Sequence, residues 1–210
     1  MHPEGPDLGE VAALKQVESV SNALSSTKRL SVARTMLRTA TNEIHERMHR
    51  HPTLARLAAG TIERDEYRRV LARSYGFYAV AEPALGFSGQ LSACLRDDLA
   101  DLGVTPAEFA KLPRCALRFT CRDQAELIGA RYVLLGASLG GKVMARAIAA
   151  RTDGQAALPV RFLLGMGEND WKTFAADLES NLPDSASRER AVKSAEATFA
   201  AYEEWMTVYE

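Results

Sequence analysis

At 210 residues, with 47% hydrophobic and 25% charged residues and a formal net charge of −1, the chain has the size and balance of one globular domain with a sizeable core. That balance excludes a disordered chain, and the near-neutral charge excludes general affinity for nucleic acid. No run approaches the roughly 18 apolar residues of a spanning helix, and the opening MHPEGPDLGE lacks the charged-then-apolar pattern of a secretory signal, so a cytoplasmic protein without membrane partners is expected.

Helix signals dominate from the start. Val11, Leu14, Val17, Val20 and Leu24 recur at helical spacing, which predicts an amphipathic helix over 8–24 within an N-terminal extension spanning 1–30. Ser25-Ser26-Thr27 reads as a loop into a second helix over 30–49. Thr61 precedes a long periodic stretch through Tyr67, Val70, Leu71 and Tyr75, expected to run to the region of Ala81 before Pro83 perturbs it. Thr105-Pro106-Ala107-Glu108 is a capping box with proline at the first helical position, and it starts a short helix. Further helices are predicted over 123–150, 168–180 and 186–207. No strand pattern interrupts them. The breaks at Gly103, Pro113, Thr152-Asp153-Gly154 and Leu182-Pro183-Asp184 are too short for an interdomain linker. The expected fold is all-α, a single-domain multi-helix bundle over 31–210. Cys94, Cys115 and Cys121 are too few and too irregular for a disulfide framework or zinc ribbon, and are expected as buried thiols.

Two segments carry chemistry. Arg131 to Arg146, RYVLLGASLGGKVMAR, is helical in period yet holds Gly136, Gly140 and Gly141, although each mid-helix glycine costs roughly 1 kcal/mol relative to alanine. A flat ligand lying against the backbone would supply the reason, since only glycine leaves no Cβ in the way. By the i, i+4 rule Tyr132, Gly136 and Gly140 share one stripe. Packing of small residues between helices is the plainer alternative. The second segment, LRTATNEIHERMH from Leu37 to His49, places His45 on a stripe with Leu37, Thr41, Ile44 and Met48, which points its imidazole inward. Of the other histidines, His2 lies in the terminus and His51 precedes Pro52 at a helix end. Lys28 to Arg50 holds six basic residues against two acidic ones, and Arg131 to Arg151 holds four against none. Both segments are locally positive and would suit an anionic ligand or an acidic donor protein.

LRTATNEIH followed about ninety residues on by YVLLGASLGG, with ARSYGFYAVAEPAL between them and WKTF later, resembles the haem oxygenases, particularly the compact bacterial forms that make biliverdin. The resemblance runs from about Ser31 to the C-terminus. It implies that haem, both cofactor and substrate, lies between a proximal and a glycine-bent distal helix. It implies His45 as the axial iron ligand and Arg38, Tyr132 and Lys172 as partners of the propionates. Gly136 would bind the ring, while Gly140 and Gly141 press the distal backbone on it and steer the reaction. Arg38 lies seven residues before His45, roughly 10 Å along the axis, about the separation of a haem iron from a propionate. The implied reaction uses O2 and electrons from an external reductase or ferredoxin, and yields biliverdin, carbon monoxide and ferrous iron. A bacteriophytochrome is a possible biliverdin acceptor.

Two residues depart from the family pattern. Animal and cyanobacterial members carry an aspartate after the first distal glycine, where this chain has Ala137, and often a glutamate four residues after the proximal histidine, where it has His49. These changes bear on oxygen activation and regiochemistry more than on haem binding, and they leave a haem carrier or sensor without turnover as one alternative. His45-Glu46-Arg47-Met48-His49 also matches HExxH, the signature of a zinc hydrolase, with Glu63 or Glu66 as a possible third ligand. A thiaminase-like helical fold with another pocket is a further alternative.

Overall fold

The computed structural model describes residues 31–116, 120–151, 157–165 and 168–207, so the helix expected over 8–24 and the extension lie outside the described residues. The compact unit Ala33–Glu210 is built from helices α1 (Val32–Arg50), α2 (Pro52–Ala59), α3 (Arg64–Ala84), α4 (Gln90–Asp101), α5 (Pro106–Phe109), α6 (Gln124–Ala149), α7 (Arg161–Leu164), α8 (Glu168–Asn181) and α9 (Ser185–Thr207). Among the described residues there is no strand.

Two apolar clusters hold the bundle. The larger runs from Leu57 and Ile62 through the inward face of α3 (Tyr67, Leu71, Phe77) to Leu95 and Leu99 of α4 and Leu134 of α6. The smaller joins Ala33 and Leu37 of α1 to Ile128 of α6, Leu178 of α8 and Ala191 and Ala195 of α9. The α6–α9 pair packs most extensively, and one glycine explains how closely: a Cβ on Gly129 would overlap the backbone of Ala191. Polar ties fix the periphery. Trp205 donates from Nε1 to the carbonyl of Arg73 at 2.8 Å, and Arg47 makes two 2.7 Å bonds to the Glu203 carboxylate, joining α1 to α9.

Several expectations shift by physical detail. Thr61 does not start α3; Glu63 is its N-cap residue, while the Thr61 hydroxyl donates to the carbonyl of Arg56 at 3.4 Å. Pro83 sits in the last turn of α3 without ending it early. His51, expected at a helix end, is also the N-cap residue of α2, with Pro52 at its first position. The Thr105 capping box forms as expected. Helices α2, α4 and α7 were not expected. The last two are capped from afar by buried carboxylates: Glu82 accepts from the amides of Leu91 (2.9 Å) and Ser92 (2.8 Å), and Asp98 from those of Arg161 (3.2 Å) and Phe162 (2.9 Å). Cys115 is buried, whereas Cys94 and Cys121 are only half-buried free thiols. Among the described residues α6 alone is long and apolar enough to cross a membrane by length and composition, although Arg131, Lys142 and Arg146 interrupt it, so it holds no unbroken run of 18 apolar residues. The excess of glycine, alanine and leucine that produces this apolarity belongs to a helix packed on α9 and α7 that also forms one wall of a cleft.

Candidate functional site

The expected glycine-bearing helix forms one unbroken α-helix over Gln124–Ala149, and it faces α1 across a cleft of about 510 Å³. That size falls within the roughly 300–1,000 Å³ of small-molecule and cofactor sites. Its floor is apolar, formed by Val70, Leu71, Phe77 and Tyr78 of α3 with Phe162 and Leu163 of α7.

The α1 wall follows from helical period. Leu37, Thr41, Ile44 and Met48 are buried as predicted. Arg34, Arg38 and His45 sit one position round the helix and line the cleft instead. The imidazole therefore points into the cleft rather than into the core, and its side chain is 55% exposed. Its Nε2 lies 3.2 Å from Nε2 of His49, with the rings 4.3 Å apart between centroids. The Glu46 carboxylate is 3.9 Å away on the Nδ1 side, which favours the Nδ1–H tautomer and leaves Nε2 as the ligating nitrogen. Burial, then the neighbouring His49, lowers the pKa of His45, with Glu46 opposing and Arg38 contributing. The neutral, ligand-competent ring is thereby favoured.

The α6 wall presents Tyr132, Gly136, Ala137 and Gly140 to the cleft, so the predicted stripe is brought together. The glycines are not equivalent. A Cβ on Gly140 would meet nothing within 4 Å, and one on Gly136 would reach only the Trp171 ring at 3.7 Å. Gly141 is different: it is buried, and a Cβ there would overlap the Leu163 carbonyl. Its need for glycine comes from the close passage of α7, where the sequence suggested a ligand.

One end of the cleft is cationic. Arg34 lies over the Trp171 ring at 5.6 Å, Trp171 leans on Tyr132 at 5.6 Å between ring centroids, and Arg38 follows one turn after Arg34. Burial raises the pKa of Tyr132, opposed first by the positive charge of Arg34, then by a hydrogen bond with Thr41 and by Arg38. The phenol is therefore protonated at neutral pH. Lys172, by contrast, is exposed and does not line the cleft, because the helix turns its neighbour Trp171 inward. Sequence reasoning passed over Arg34 and Trp171. Arg34 was legible as the residue one turn before Arg38, whereas Trp171 carried no signal beyond its place in WKTF.

These residues fit haem: a histidine nitrogen on one wall, glycines that leave part of the other wall bare, an apolar floor, and arginines at one end for carboxylates. A zinc peptidase site does not assemble. No group of three or more His, Cys, Asp or Glu able to hold a metal occurs among the described residues, and Glu66 is instead paired with Arg56.

A family model described as Heme oxygenase matches residues 31–95, the span holding Arg38 and His45. The heme oxygenase of Xanthomonas campestris pv. campestris (strain 8004) is 32% identical over 164 residues, covering 70% of this chain and 92% of that protein. The fold is similar to that of heme oxygenase-1 from the cyanobacterium Synechocystis sp. PCC6803, solved in complex with heme, with a TM-score of 0.62, 19% identity, and coverage of 84% of this chain and 91% of that one. Sequence and fold agree that the chain belongs to the haem oxygenase family.

Proposed function

We propose that this protein degrades haem to biliverdin, carbon monoxide and ferrous iron. The observation that carries the reading is the pairing of His45 with the open face of Gly140 on opposite walls of one apolar cleft. Family membership supports an enzyme rather than a carrier. When bound, haem supplies the iron that activates O2 and the porphyrin that is cleaved, with electrons from an external donor protein.

The chain's own residues bind, orient and exclude water. His45 would hold the iron through Nε2, with its Nδ1 side turned to Glu46. Arg34 and Arg38 attract the propionates, and the protonated Tyr132 donates a hydrogen bond to one of them. Gly136 and Gly140 would let a flat ring approach the α6 backbone, and the aromatic floor of Phe77, Tyr78 and Phe162 would help exclude solvent from the cleft. With Ala137 in place of a carboxylate, a water on the α6 side would be held by main-chain groups; the Ser138 hydroxyl already gives its proton to the Leu135 carbonyl at 2.6 Å. The basic surface of α1 and α6 suits an acidic electron donor, and a bacteriophytochrome is a suitable acceptor for the product.

The test is spectroscopic. Haem is added and the Soret band followed, and then ascorbate or a reductase is supplied in air. Loss of the band with a rising biliverdin spectrum is expected. A stable Soret band under both donors would instead make the protein a haem carrier.

A further inference from the structure

The paired histidines of α1 do more than one axial ligand requires. We propose that His45 and His49 together form a two-imidazole binding site for a divalent first-row transition-metal ion, the class to which ferrous iron belongs. Their Nε2 atoms are 3.2 Å apart in one wall of the cleft. A tetrahedral ion with metal–nitrogen bonds of about 2.0–2.1 Å holds two ligand nitrogens roughly 3.3–3.4 Å apart, so the pair is already set to that span. The ring centroids, at 4.3 Å with an interplanar angle of 66°, are too close for the rings to meet end on. They lean alongside one another, and both residues line the cleft.

The helix itself dictates this arrangement, because residues four apart lie one above the other on a face. Glu46 lies on the Nδ1 side of His45, so it is turned away from the nitrogens that converge. Binding needs no electron transfer. Two water ligands of the hydrated ion are replaced by two imidazole nitrogens, and the proton the two Nε2 atoms share moves to Nδ1 of the ring that carried it. Arg47, between the histidines in sequence, is turned to Glu203 and Glu43. The HExxH pattern thus keeps its metal chemistry without becoming a peptidase.

Resting on the haem-degrading reading, this site receives the ferrous ion where it leaves the opened ring. His45 keeps the iron and His49 becomes its second protein ligand, which holds the ion until it departs to solvent or to an acceptor.

The experiment is calorimetric titration of the haem-free protein with Zn²⁺, repeated for His45→Ala, His49→Ala, His49→Gln and, as a control, His51→Ala. One ion per chain is expected for the parent protein and for His51→Ala, with affinity at least tenfold weaker in the other three variants. Electron paramagnetic resonance of bound Cu²⁺ should report two coordinating nitrogens in the parent and one in His49→Ala. Equal Zn²⁺ affinity in parent and His49→Ala, with folding unchanged by circular dichroism, overturns the site. A parallel haem titration separates the two readings. Haem binding with Zn²⁺ affinity indifferent to His49 removes the metal site and leaves haem degradation standing. Zn²⁺ held by both histidines in a protein that does not take up haem keeps the site and removes its link to that reaction.

Discussion

The two long walls of the cleft work by opposite means. On α1 the proposed function lies in side chains that the helical period carries round to one face: Arg34, Arg38, His45 and His49 all line the cleft, while Leu37 and Ile44 anchor the helix behind them. On α6 it rests on side chains that are missing, since Gly136 and Gly140 leave the backbone bare toward the cleft. A wall made of projecting groups can lose them with little harm to the fold. One made by omission is harmed by what is added. Mutations should therefore separate binding from stability on α1 and expose volume effects on α6.

The largest effect expected is on the α1 side. His45→Ala should remove the ordinary histidine-ligated haem spectrum and nearly all turnover, yet leave the melting temperature close to that of the parent, because the imidazole is 55% exposed and outside the core. His51→Ala should do neither. A histidine-type spectrum and normal turnover in His45→Ala would show that the two walls have been paired wrongly.

The neighbouring glycines of α6 give the next largest effect and the sharpest contrast. Gly141→Val drives its side chain into the Leu163 carbonyl and should lose about 1–3 kcal/mol of stability through overpacking, read by denaturant unfolding. Gly140→Ala meets open space, so it should leave stability unchanged or raise it by up to about 1 kcal/mol through helix propensity, while weakening haem binding. If Gly140→Ala bound haem normally and Gly141→Val were as stable as the parent, both assignments would fall.

These glycines also mark how far sequence reading reached. The period of α1, the long run of α6 and the Thr105 capping box were legible because each is local: a stripe, a span and two hydrogen bonds three residues apart. The starts of α4 and α7 were not. Glu82 and Asp98 cap them across 9 and 63 residues or more, so the residues that begin each helix do not announce it. The same distinction splits the site. Gly140 and Gly141 read alike in the chain, and only the passage of α7 beside one of them tells an open cleft face from a packing contact. Lys172 and Trp171 are adjacent in sequence, and the helix decides which of them reaches the cleft.

Arg34 and Arg38 line the cleft and Lys172 does not, so the orientation of bound haem is expected to depend on the two arginines. Arg34→Ala combined with Arg38→Ala should change the ratio of biliverdin isomers severalfold, since partly exposed pairs are each worth at most about 1 kcal/mol and tenfold corresponds to about 1.4 kcal/mol. Lys172→Ala should leave the ratio alone. Chromatography of the products decides it. An unchanged ratio in the double arginine variant would assign orientation to the apolar walls, and a change in Lys172→Ala would restore that lysine to the site.

The smallest effect tests whether the α2–α3 junction is independent of the cleft floor. Arg56 of α2 is paired with Glu66 of α3, and this bond holds the Glu66 carboxyl below its ordinary value of 4.5, against the opposing pull of burial. A carboxylate whose pKa is depressed in the folded state contributes stability that is fully present above the unfolded value and is lost as the pH falls through the folded one. The window therefore lies below pH 4.5, where the unfolded chain takes up a proton that the folded chain resists. Arg56 is largely exposed, so the contribution should be under about 1 kcal/mol. Glu66→Gln should flatten the acid limb of the stability profile by that amount and leave the neutral-pH haem spectrum unchanged, because the pair lies outside the residues that line the cleft. An altered Soret band in Glu66→Gln would mean that the α2–α3 junction positions the cleft floor as well as closing the fold.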